Sequence, residues 1–75
     1  MRTPREIVDQ TNELAREFYM MVGCEVPSGY RFDKARHPQE RGCWAMACAA
    51  QLMLTDTDVE DVMEEEEAEN EEKRD

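Results

Sequence analysis

Cys43 stands at the start of an apolar run, with Gly42 before it, Trp44-Ala45 after it and His37 six residues upstream. A thiol at a helix N-terminus gains thiolate character from the helix dipole and a neighbouring imidazole, which is the chemistry of a cysteine nucleophile. His37 is the single histidine, however, and no histidine follows the cysteine, so a small buried core residue is the better reading of Cys43. His37, Cys43, Cys48 and Cys24 can also be drawn as a zinc site. Their spacing contains no Cys-x-x-Cys, and Cys43 and Cys48 point to different sides of a helix, so no metal is assigned. Asp56, Asp58, Glu60 and Glu67 fall on a calcium-loop template, but Asp61 occupies the sharp turn where glycine is required.

Gln39 and Gly42-Cys43-Trp44-Ala45 resemble the nucleophile segment of papain-like cysteine proteases. In that family the histidine and its Asn or Asp partner lie well downstream. The present chain has neither a downstream histidine nor the length for a second lobe. The resemblance therefore implies no protease activity, and no catalytic residue or cofactor is expected.

The remaining chemistry is charge. Tyr30, Arg31, Lys34, Arg36 and Arg41, with His37, form the one cationic stretch, and Tyr30, Phe32 and Trp44 could stack on a base there. That is the basis of an alternative reading as a nucleotide or small-ligand binder. The simpler reading is that these cations neutralise the chain's own acids. Residues 1–55 carry seven acids and seven bases, whereas residues 56–75 carry twelve acids and only Lys73 and Arg74. The whole net charge of −10 thus belongs to the last twenty residues. A chain so acidic is not expected to bind nucleic acid through its phosphates. Glu64, Glu65, Glu66 and Glu67 could instead imitate a row of phosphates before a cationic groove.

Helices must position these groups. Thr3-Pro4-Arg5-Glu6 supplies a capping hydroxyl, a proline at the first helical position and a glutamate at the third. Ile7, Thr11, Leu14, Ala15, Phe18 and Val22 follow on one face, and Gly23 stops the helix, which predicts a span of about 4–22. Cys24–Arg36 reads as a connector with a turn at Pro27-Ser28-Gly29, pinned by Tyr30 and Phe32. A second helix is predicted from Pro38 to Leu54, with Asp33 or His37 near its cap. From Cys43 to Leu54 every residue except Gln51 is apolar. A helix apolar on all sides must be covered on all sides, and one neighbour covers only part of its circumference.

Thr57-Asp58-Val59-Glu60 fits a capping box for a short third helix near 58, with Val59, Val62 and Met63 as its apolar edge. From Glu64 onward the only apolar residue is Ala68, which predicts a helical core at 1–63 and a flexible acidic tail at 64–75. The fold class expected is all-α: an antiparallel bundle of two or three helices with a disordered acidic tail. A folding unit of about 60 residues lies near the lower limit for one hydrophobic core, so the bundle is expected to be completed by oligomerisation. Trp44, Met46, Leu52 and Met53 are the residues expected to meet a partner.

No apolar run approaches the ~20 residues that span a bilayer, and no basic-then-apolar leader opens the chain. Three cysteines, an odd number, suit reduced thiols, so a cytoplasmic location without membrane contact is expected. His37-Pro38-Gln39-Glu40-Arg41 with Cys43-Trp44, together with the segment from Asn12 to Tyr19, is similar to short accessory proteins of tailed bacteriophages. The similarity covers about residues 5–60 and implies a setting, the host cytoplasm, rather than a mechanism. The functional expectation is a non-enzymatic accessory protein that binds, and inhibits or redirects, a host or phage protein. A structural virion or assembly component is the further alternative.

Overall fold

The computed structural model describes residues 2–72, with side chains through Ala68. Three α-helices account for most of it: α1 at Pro4–Met21, α2 at Pro38–Thr55 and α3 at Val59–Glu72. No strand occurs among the described residues, and the protein is a small all-α bundle.

Local chemistry sets each boundary. Thr3 caps α1 by accepting the Glu6 N–H at 3.2 Å. Its C-terminus closes with two bonds that run backwards, from Gly23 N–H to Met20 O at 3.0 Å and from Cys24 N–H to Tyr19 O at 3.1 Å. That pattern needs a left-handed residue, and Gly23 takes φ +89°. Val22 is therefore not part of the buried face: it lies past the last helical residue and is 60% exposed. His37 caps α2, its Nδ1 accepting the Gln39 N–H at 3.2 Å. At the far end Asp56 adopts φ 54°, a left-handed conformation that Asp tolerates better than most residues. The cap of α3 is Asp58 rather than Thr57, since the Asp58 carboxylate accepts the Asp61 N–H at 3.3 Å. Thr57 is drawn away because its hydroxyl accepts from Arg2 at 3.1 Å.

Polar contacts at both ends make α1 and α2 antiparallel. Arg2, just before α1, donates to Thr55 at 3.2 Å and to Thr57 at 3.1 Å, beside the C-terminus of α2. At the other end Gln39 approaches the Cys24 sulfur at 3.7 Å, and the Tyr30 hydroxyl donates to Glu40. The core joins Ala15, Phe32, Cys43 and Ala47, with Leu14, Phe18, Tyr19, Val26, Tyr30 and Trp44 packed around it. Small residues on both helices let the backbones approach, and Phe32 from the connector fills the space that remains. Its ring meets Tyr19 and Tyr30 edge-on at centroid distances of 5.5 and 5.0 Å.

The connector contains one 3-10 turn at Phe32–Lys34. Asn12, from the middle of α1, holds it: its carbonyl oxygen accepts from Phe32 N–H at 2.6 Å and from Asp33 N–H at 3.4 Å. The Asn12 amide in turn donates to Val8 O at 3.1 Å. The inner face of α1 is thus rotated from the expected stripe, with Val8 and Asn12 buried beside Thr11 and Ala15.

The predicted boundary at Glu64 leaves no break in the helix, for α3 continues to Glu72. Val59 is 1% exposed, and Val62 and Met63 are half-buried, so the apolar edge of α3 docks as expected. Residues 73–75 of the expected tail lie outside the described residues.

Candidate partner-binding face

The second helix is turned the opposite way from what its composition suggests. Gln51, the lone polar residue of the Cys43–Leu54 run, is buried at 6% exposure. Its amide donates to the Thr11 hydroxyl at 3.2 Å, and its carbonyl oxygen accepts from Arg2 at 3.3 Å. Thr11 donates onward to Ile7 O at 2.6 Å. Among the described residues no buried side-chain polar atom lacks a partner, so this seam is satisfied throughout.

Apolar side chains face outward instead. Met46 is 52%, Leu52 50%, Met53 83% and Leu54 83% exposed. With Gly42, Ala45 and Ala49, also exposed, they form an uncharged strip along the length of α2. Positions 42, 45, 49 and 52 advance by alternating steps of three and four, the spacing of a helix seam. Beside it lies a groove of about 210 Å³ lined by Cys48, Ala49, Leu52 and Val59, with Asp58 and Glu60 on its rim.

Of the four residues predicted to meet a partner, Met46, Leu52 and Met53 lie on this open face. Trp44 does not share their position, because it packs half-buried against the core. Leu54 belongs with the exposed group, though its place in the run carried no sign of that. A second exposed group, Met20, Met21 and Val22, sits at the C-terminus of α1. It is at the opposite end of the bundle from Leu52–Leu54 and was not anticipated.

The cationic segment is largely engaged by its own chain. Arg31 grips Asp33 with two bonds, at 2.9 and 3.1 Å, and lies 3.9 Å from Asp9. The Asp33 hydrogen bond is the main reason the Arg31 guanidinium is held more firmly protonated than usual. Burial pushes the Asp33 carboxyl up, but Arg31 and Asn12 together hold it below the ordinary carboxylate range. Arg41 donates to Ala35 O at 3.3 Å, and the Tyr30 hydroxyl is committed to Glu40. That bond to Glu40, ahead of burial, raises the Tyr30 pKa. Lys34 and Arg31 line a second groove, of about 170 Å³, together with Val8, Asp33, Met63, Glu66 and Glu67. Of the four predicted mimic residues, Glu66 is partly buried and lines this groove with the chain's own cations, Glu67 lines its exposed edge, and Glu64 and Glu65 are exposed away from it. Arg36 is exposed as well.

Two of the three thiols are shifted away from thiolate character. Cys43 is 5% exposed, and burial, with Cys24 nearby, pushes its thiol up. Cys48 is pushed up to about 11, first by burial and then by Glu60 and Asp58. A reactive thiol needs the opposite shift. Among the described residues no group of three His, Cys, Asp or Glu side chains is placed to hold a metal ion, and no helix is long and apolar enough to cross a membrane. No protein-family profile, curated protein or solved structure matches the chain.

Proposed function

We propose that the chain is a non-enzymatic binding protein and that the outward face of α2 is the surface by which it engages another protein. One observation carries the reading. A bundle this small leaves Met46, Leu52, Met53 and Leu54 half or more exposed on one helix, on an uncharged strip that nothing in the chain covers among the described residues. Contiguous exposed apolar surface of this kind marks an interaction site in a small protein. We propose further, on the resemblance of residues 5–60 to tailed-phage accessory proteins alone, that the target is a host protein, to be inhibited or redirected. Glu64 and Glu65 are exposed members of the acidic row that do not line the groove with Arg31 and Lys34, and would add attraction toward a basic partner.

Immobilised protein tests this by capture from a host lysate. Met46→Glu/Met53→Glu is expected to abolish capture while the helical circular-dichroism signal persists, because both positions are already solvated. Glu64→Gln/Glu65→Gln is expected to weaken capture less. Capture unchanged by the methionine substitutions removes the apolar face from recognition. Loss of capture confined to the glutamate variant places recognition on charge mimicry instead.

A further inference from the structure

We infer that in the isolated protein the occupant of the α2 face is a second copy of this chain, packed antiparallel across a two-fold axis close to Ala49, which a bound target would have to displace. The inference rests on the reading of this face as a binding surface and gives it a specific partner. Two independent features of the strip select the arrangement.

The first is volume. Gly42 and Ala45 leave the N-terminal part of the strip small but for Met46, whereas Leu52 and Met53 together make its C-terminal part large. About an axis at Ala49 an antiparallel pair sets position 53 opposite 45 and position 52 opposite 46, so Met53 projects over the small Ala45 of the second copy and Leu52 packs beside its Met46. A parallel pair would set Leu52 and Met53 against themselves and leave a gap along the small half. Interfaces, like interiors, lose contact energy at such gaps.

The second is charge. The strip itself bears none, and it is bounded by Arg41 at one end and Asp56 at the other. At 1.5 Å per residue these lie about 12 Å and about 10 Å from Ala49, on opposite sides of it. A two-fold axis near Ala49 therefore brings Arg41 of each copy to Asp56 of the other, with Asp58 and Glu60 behind it. In a parallel pair Arg41 would meet Arg41, and Asp56 would meet Asp56. The start of α3 borders the strip through Asp58 and Glu60, on the side where Arg41 of the second copy arrives, and its Glu66 sits in the separate groove with Arg31 and Lys34. Burying Met46, Leu52 and Met53 against a copy removes from water the surface that the single chain leaves bare.

The test is sedimentation equilibrium of the full chain at about 1 to 100 µM, in about 0.15 M salt so that the net repulsion between two chains of charge −10 is screened. The average mass is expected to rise from 8.8 kDa to twice that value. Ala49→Glu is expected to weaken association at least tenfold, since two carboxylates would meet at the axis, and circular dichroism checks that the exposed substitution leaves the fold intact. Arg41→Gln and Asp56→Asn are each expected to weaken association by about two- to fivefold, and together by less than the product, as for a partly exposed ion pair. Tightening by either substitution overturns the antiparallel arrangement, because that is the result for like charges facing each other. A mass of 8.8 kDa at about 100 µM, or a dimer indifferent to Ala49→Glu, overturns the self-pairing. The binding role of the face stands or falls separately, on the lysate capture described above.

Discussion

The two faces of α2 invert the usual arrangement. Inward, the C-terminal half of the seam against α1 is built around Gln51, Thr11 and Arg2, hydrogen-bonded to one another, while the N-terminal half sets the small Cys43 and Ala47 against Ala15 and Phe32. Outward, the same helix presents Met46, Leu52, Met53 and Leu54 to water. The difference teaches that apolar content says a helix must be covered but not which side its own chain covers. Close approach of two small-residue faces, fixed in register by buried hydrogen bonds, decides the inner side. The larger apolar residues are left for something else.

The contrast can be broken most violently from within. Phe32 is 1% exposed and joins both helices to the connector, so Phe32→Ala is expected to cost about 3–5 kcal/mol, enough to unfold a domain this small. Loss of the thermal unfolding transition is the readout. Asn12→Ala comes next. It orphans the buried Phe32 N–H, at an expected cost of about 1–3 kcal/mol in chemical denaturation. Substitutions on the outer face sharpen the contrast from the other side. Met53→Gln and Leu54→Gln are expected to change the stability of the dilute chain by less than about 0.5 kcal/mol, because neither side chain is buried by its own fold. A comparable loss at Met53 and at Asn12 would erase the distinction between the faces.

Acid provides a gentler probe of the inner framework. Asp33 is held below its unfolded value of about 3.9, so the stability it contributes is complete above that value and is lost as pH falls through the lower, folded one. Acid titration of the unfolding midpoint is therefore expected to show a loss below about pH 4 that Asp33→Asn reduces. The smallest effect is expected at the cationic segment. Nucleotides should leave the melting temperature unchanged, because Arg31 is already clamped by Asp33 and Tyr30 by Glu40. A reproducible rise would revive the ligand-binding alternative for Tyr30, Arg31, Lys34, Arg36 and Arg41.

Much of the architecture was legible in the residues. Thr3-Pro4 marked the start of α1 and Gly23 its end, and Pro38 marked the start of α2, because caps and breakers act locally. The unpartnered apolar surface of α2 was legible too, from the all-round apolar run. Its orientation was not. Periodicity ranks positions by hydropathy, and it therefore gave no sign that Asn12 and Gln51 are buried. Both are inward because each answers a backbone or side-chain group brought from elsewhere in the chain: Phe32 N–H for Asn12, and Thr11 and Arg2 for Gln51. The same limit explains Trp44, which composition placed on the open face and packing turns toward Cys43 and Ala47. The continuation of α3 past Met63 was hidden because its glutamates bury little, although Glu66 and Glu67 line one groove with cations that lie more than 30 residues away in sequence.

The central claim is that a single chain leaves the α2 face bare, and solvent paramagnetic relaxation of the methionine methyl resonances tests it most directly. In dilute protein the Met53 and Met46 signals should broaden strongly with a soluble paramagnetic agent, and Met63, half-buried beside α1, should broaden much less. Met53 protected as well as Met63 at the lowest concentration would mean that the chain covers its own strip, and the account would be wrong.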